Sequence, residues 1–300
     1  MKTSKVVKAA VMALIVESAC CVVTVASAQS GQCPLASGGS RYTEHSEASH
    51  MIMKGQFQQA EALLEKLHRR NLASSGGDLL TSRGLYRLLT LIPQTGDEVR
   101  RWADSQQQSF FAQLVAGIFY VNQAGRARGG KFSSETSRSQ FAEMSRLDGV
   151  AISYLQKAMR LNPRSALPQS VMIIIGTREN KAAGKDARQW LQAAIQADPS
   201  TMAARATATT FLTPRWGWTF ELLDQMILQA KESLTAENAH YLEFLMTRGK
   251  ASHEEVIAKN ISGARTLYQR AKEMCVNAAD GQEEINRPQR RTDANGRTAR

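Results

Sequence analysis

No stretch of this 300-residue chain alternates apolar and polar residues over the length of a strand, which argues against a sheet. After residue 28 no stretch is apolar enough to cross a bilayer, so no transmembrane segment is expected in the remaining chain. Catalytic signatures are missing too. Gly125-x4-Gly130-Lys131 has the spacing of a phosphate-binding loop, but Phe132 stands where a magnesium-binding hydroxyl belongs. His253-Glu254-Glu255 would need a second histidine where Ile257 stands, and His45 and His50 do not stack on one helical face. No Gly-x-Ser-x-Gly elbow occurs, and neither Cys33 nor Cys275 has the surroundings of a nucleophile. Nothing here specifies a reaction, so the expectation is no catalysis, no cofactor and no metal. Aromatics are scarce among the basic clusters, and nucleic acid is not an expected partner.

What is present begins at the N-terminus. Lys2, Lys5 and Lys8 precede a largely apolar run from Ala9 to Val25, and Ala26-Ser27-Ala28 makes a small-x-small cleavage signal before Gln29. Residues 1–28 therefore read as a secretory signal peptide, although Glu17 interrupts the apolar run, and the mature chain is expected to be periplasmic or secreted. The net charge is +11, and +9 once this segment, with its three lysines and one glutamate, is removed. Cys20 and Cys21 would leave with it. Cys33 and Cys275 remain, either as a disulfide in an oxidising compartment or as two separate thiols.

The strongest positive signal is a ladder of small and apolar residues with a period of 36. Ala151, Leu155 and Ala158 recur as Ala187, Leu191 and Ala194, and the last two recur as Ile227 and Ala230, with Leu223 in place of the third alanine. Leu161-Asn162-Pro163 is answered by Ala197-Asp198-Pro199. A period in the thirties with this spacing is how stacked helix pairs of the tetratricopeptide type look. The expected fold is all-α, a right-handed helical-repeat solenoid of antiparallel helix pairs over residues 43–279. A flexible linker (29–42) would precede it and a disordered basic tail (280–300) would follow. Within it, helices are expected at about Phe57–Leu67, Leu79–Ile92 and Asp97 or Ser105 to Ala124. Further helices are expected at Glu135–Leu161, Ser165–Arg178, Lys185–Ala197, Ser200–Leu212, Thr219–Ser233, Ala236–Arg248 and Ser252–Ala278. Thr235 and Ser252 stand as N-caps. Val171–Ile175 has strand propensity, but its place as the first helix of a pair overrides that.

Two local features could bind something. Pro214-Arg215-Trp216-Gly217-Trp218 sets two indoles beside an arginine, either to stack on a ligand or to plug a seam between repeats. Gly125 to Lys131 reads as a glycine-rich loop carrying Arg126, Arg128 and Lys131, either meeting an acidic partner or simply solvated. The order Arg126-Ala127-Arg128-Gly129, Ser133-Ser134-Glu135-Thr136, Phe141 and Pro214-Arg215-Trp216-Gly217, with Trp102 and Ser109 ahead of it, resembles the bacterial domain-of-unknown-function family 4034. The resemblance spans about Leu80 to Leu228, and Trp218 stands where that pattern has a small polar residue. It implies an α-helical, tetratricopeptide-like domain without an assigned activity. The expected function is a scaffold that holds a protein, peptide or anionic envelope ligand on its concave face. Arg178, Arg205 and Arg215 would be rim contacts, since arginine suits bidentate hold of carboxylates. The alternative is an envelope hydrolase with paired carboxylates in the groove.

Overall fold

The computed structural model describes residues 43–74, 76–93, 95–130, 132–178 and 183–275. The expected signal peptide with Ala28 and Gln29, the linker with Cys33, and the basic tail lie outside the described residues, as does the side chain of Arg215.

The described residues form helices and turns with no strand: α1 Thr43–Met53, α2 Phe57–Leu72, α3 Gly77–Leu89, α4 Asp97–Ser105, α5 Phe110–Arg128, α6 Arg138–Leu161, α7 Leu167–Gly176, α8 Ala187–Ala197, α9 Met202–Phe211, α10 Phe220–Ser233, α11 Ala236–Val256 and α12 Ile261–Met274. Short polar side chains start most of the later ones by accepting an otherwise orphaned backbone N–H. Ser109 accepts from Ala112, Thr201 from Ala204 and Thr235 from Asn238. Ser137 with Gln140, and Asp186 with Gln189, form full capping boxes. Val171–Ile175 is helical rather than a strand and is buried nearly all round.

The ladder points inward. Ala151, Leu155 and Ala158 on α6 are fully buried, as are Ala187 and Ala194 on α8, with Leu191 at 6%. Its small residues let helices approach closely. A Cβ at Gly117 would fall 2.5 Å from Leu155 Cδ2, and one at Gly176 would fall 2.6 Å from the backbone nitrogen of Ala187. Helix α5 packs along α6, α7 packs on α8, and α5, α7, α9 and α11 touch in series. Helix α3 breaks that local order, lying against both α5 and α9.

Three expectations need correction. The central apolar stretch is two helices, divided by Gln106 to Ser109. Gly125 to Arg128 is the last turn of α5 rather than a loop, and the break comes at Gly129, whose φ of +77° suits glycine. Ser252 is not an N-cap: α11 runs through it to Val256, because Ala251 is fully buried in a small cluster with Ala264 and Tyr268. The chain turns instead at Lys259, with a φ of +58°, and Asn260 caps α12.

Candidate functional site

Three neighbouring clefts open where α3, α5, α7, α9 and α11 meet. The first, of about 360 Å³, is bordered by Arg83, Tyr86, Asn122, Arg178 and Thr210. The second, also about 360 Å³, lies between Phe211, Trp216, Arg248 and His253. The third, of about 530 Å³, lies between Arg128, Phe132, Phe141, Arg178 and Trp216. Arg178 borders the first and third, Trp216 and Ile257 the second and third, and Thr210 and Phe211 the first and second. Among the described residues lining all three there is no aspartate or glutamate.

Arg128 owes its position to the junction of α5 and α6. The Gln140 side chain accepts from the Ser137 N–H at 3.0 Å as part of the capping box, and its amide nitrogen donates to the Arg128 carbonyl at 3.1 Å. One glutamine thus starts α6 and ties down the end of α5. The Arg128 guanidinium lies over the Trp216 ring, 5.8 Å from its centroid. Trp216 closes a 3-10 turn, Pro214–Trp216, that Gly217 ends with a φ of +83°, and its ring leans on Phe211 at 5.7 Å.

Arg178 follows α7 and donates to Asp148 Oδ1 at 2.5 Å. Asp148 is fully buried on α6 and the arginine side chain is 10% exposed, so this pair holds α6 to the end of α7 at the margin of the clefts. Burial pushes the Tyr86 phenol up to about 12, against the pull of Arg178, so the phenol stays protonated at any physiological pH. Arg83 donates to the Tyr241 hydroxyl and lies 5.2 Å over its ring, joining α3 to α11.

The structure therefore brings together Arg128, Arg178 and Trp216 from the sequence-stated set. Arg126, exposed on the last turn of α5, lines none of the clefts. Trp218 is half-buried and packs on the core at the entry to α10. Arg205 is a correction: it is 2% exposed, donates to the Thr201 carbonyl at 2.8 Å and to Ser233 Oγ at 3.0 Å, and is no rim contact. Burial lowers its pKa, opposed by Asp78 and Asp198. The cause is α3. Its Asp78 carboxylate accepts from Thr201 Oγ1 at 2.5 Å and from the Met202 and Ala203 N–H groups at 2.8 and 3.0 Å, sealing the start of α9. Cys275 is buried and disulfide-bonded. Sequence reasoning missed Arg83, Tyr86, Asp148 and Arg248. Only Arg83 and Tyr86 carried a usable signal, being three apart on one face of α3.

The fold and site define an all-helical domain with arginine-bordered clefts. Residues 161–248 match a family model described as a domain of unknown function, DUF4034. The match bears out the family resemblance where the two overlap, over about residues 161–228, with Arg178, Trp216 and the Pro214–Gly217 block inside it; Trp102, Ser109 and the residues from Arg126 to Phe141 that also carried the resemblance lie outside the matched residues. No curated protein matches the chain.

Proposed function

We propose that this protein is an exported, tetratricopeptide-like helical-repeat scaffold that binds an anionic ligand in the clefts between its first helices. The single observation carrying this reading is the lining: Arg83, Arg128 and Arg248 border the connected clefts beside the Asp148-paired Arg178, and among the described lining residues there is no carboxylate. The serial contact of α5, α7, α9 and α11 supports a stacked helical-repeat solenoid, whose concave side is a usual ligand face. Here α3 occupies part of that side, which moves the ligand to the clefts beside it. A hydrolase needs an acid and a base in one cleft, and the lining supplies neither as a carboxylate.

The test is calorimetric titration of the chain beginning at Gln29 with a hexaglutamate peptide. Binding should weaken as salt rises from low to physiological ionic strength. Arg128→Ala combined with Arg248→Ala should weaken it roughly tenfold or more, as expected when charge-assisted hydrogen bonds are lost. Absence of binding, or binding indifferent to both salt and the paired substitution, refutes the reading. N-terminal sequencing of the protein recovered outside the cytoplasm should begin at Gln29; an intact Met1 there refutes the processing.

A further inference from the structure

The three clefts are not alike. In the third, the charged and hydroxyl side chains among the described residues are four: Arg128, Ser133, Thr177 and Arg178. The rest of its lining is apolar, with Phe132, Phe141, Met144, Pro214, Trp216 and Ile257. Two of these apolar walls are open to solvent, Phe132 at 52% and Ile257 at 38% exposed, although both are large and hydrophobic. Large apolar side chains left open on the rim of a cleft are a mark of a binding surface. The cleft also lies within the usual size range of small-molecule sites, about 300–1,000 Å³.

We infer that this third cleft takes an amphiphilic monocarboxylate, its carboxylate on Arg128 and its unbranched apolar body along Phe132, Phe141, Met144 and Trp216. The inference rests on the anion-binding reading above and narrows it to one chemical class. The guanidinium fork of arginine matches a carboxylate, and Arg128 with the Ser133 hydroxyl provides for one such group, since Thr177 already donates to the Ile174 carbonyl at 2.7 Å and Arg178 to Asp148. The apolar residues provide no amide side chain and, apart from the Trp216 indole N–H, no further donor or acceptor. A peptide laid along them would bring backbone N–H and C=O groups that these walls leave unsatisfied, at a cost comparable to lost hydrogen bonds. A hydrocarbon body has no such requirement. Met144 adds an adaptable thioether wall of the kind that fits a flexible chain. Arg128 is already held over Trp216 through its carbonyl anchor on Gln140, so little side-chain ordering remains for binding.

The experiment titrates the chain beginning at Gln29 with decanoate, decanol, decyltrimethylammonium, acetate and the dipeptide acetyl-Leu-Phe with a free C-terminus. Decanoate should bind at least tenfold more tightly than decanol, acetate or the dipeptide, and decyltrimethylammonium should not bind. Arg128→Gln should remove about tenfold of the decanoate affinity. Phe132→Asp, at an exposed position with no core to disturb, should do the same with thermal unfolding unchanged. Equal binding of decanoate and decanol, tighter binding of the dipeptide, or unchanged decanoate affinity in Phe132→Asp overturns the inference. If hexaglutamate binds in a salt-dependent way while decanoate does not, this inference fails and the broader anion reading stands. If neither binds, both fail.

Discussion

Replacing Asp148 by asparagine should destabilise the protein far more than its single lost charge suggests. The carboxylate is fully buried and its partner Arg178 is 10% exposed, so the substitution keeps the shape of the site but leaves a guanidinium nearly out of water beside a neutral amide. Breaking a buried pair from one side costs about 3–5 kcal/mol, and because Arg178 borders two clefts that water can enter, we expect the lower part of that range, about 3 kcal/mol. At about 2–4 °C per kcal/mol for a domain of this size, the melting temperature falls by roughly 6–12 °C. The double variant Asp148→Leu, Arg178→Met removes both charges and should recover most of the loss, since apolar replacement of a whole buried pair is often near neutral. Thermal unfolding followed by circular dichroism at 222 nm, with Asp148→Leu, Arg178→Met and the double, closes the cycle. The surface pair Arg146–Glu143, with both side chains about half exposed, is the control and should leave stability nearly unchanged. A loss below about 1 kcal/mol for Asp148→Asn, or additive single losses in the double variant, would refute the argument that the pair is desolvated.

Other expectations test the packing and the chemistry at separate places. Gly176→Ala sets a Cβ 2.6 Å from the Ala187 backbone nitrogen, which a side-chain rotation cannot relieve, and should cost about 1–3 kcal/mol in urea unfolding; Gly125→Ala, with 3.5 Å to Arg178 Nη2, should be nearly silent. His45 is buried against Gly84, and burial holds its pKa near 4, well below the ordinary 6.5, so side-chain nitrogen NMR should show a neutral ring at pH 5.5. Because the folded pKa is depressed, this histidine's contribution is complete above pH 6.5 and is lost as pH falls toward 4, by about 3 kcal/mol. Burial raises the carboxyl pKa of Asp78 and of Glu61, so those two groups act in the opposite sense and lose their contribution as pH rises; titration of the His45 ring itself near neutral pH is the result that would refute its assignment. Peptide mapping without reduction should find Cys275 joined to Cys33, with reduction lowering stability by roughly 2–5 kcal/mol; a free Cys33 would exclude that pairing.

Helix content and the inward ladder were legible because both are local. A small residue every third or fourth position is enough to place Ala151, Leu155 and Ala158 on a buried stripe, and the structure buries them fully. The errors came where a local signal met a tertiary one. Ser252 followed by His253, Glu254 and Glu255 has the form of a helix start, yet Ala251 is needed in the contact with Ala264 and Tyr268, and Glu255 accepts from the Tyr268 hydroxyl at 3.1 Å. Those contacts carry α11 through the signal, as tertiary packing commonly overrides propensity. Glycines at 125 and 129 misled in the same manner: the first is simply helical, and only the second has the positive φ that ends a helix.

The site was less legible because its deciding contact is not periodic. A repeat pattern states which residue lies next to its counterpart 36 positions away, but Asp78 meets Met202 across a separation of 124 residues. That contact makes a distant carboxylate the second cap of α9, favourable to the exposed N–H groups and partial positive charge of a helix start. With α3 in that place, an arginine on the first helix of a pair is no longer solvent-facing, and Arg205 turns from a ligand contact into a structural donor to Thr201 and Ser233. The same helix contributes Arg83 and Tyr86 to the first cleft, so it both removes one candidate arginine and supplies another. Repeat geometry alone points to the face that α3 occupies, whereas the arginines of the lining, Arg83, Arg128 and Arg248, stand beside it.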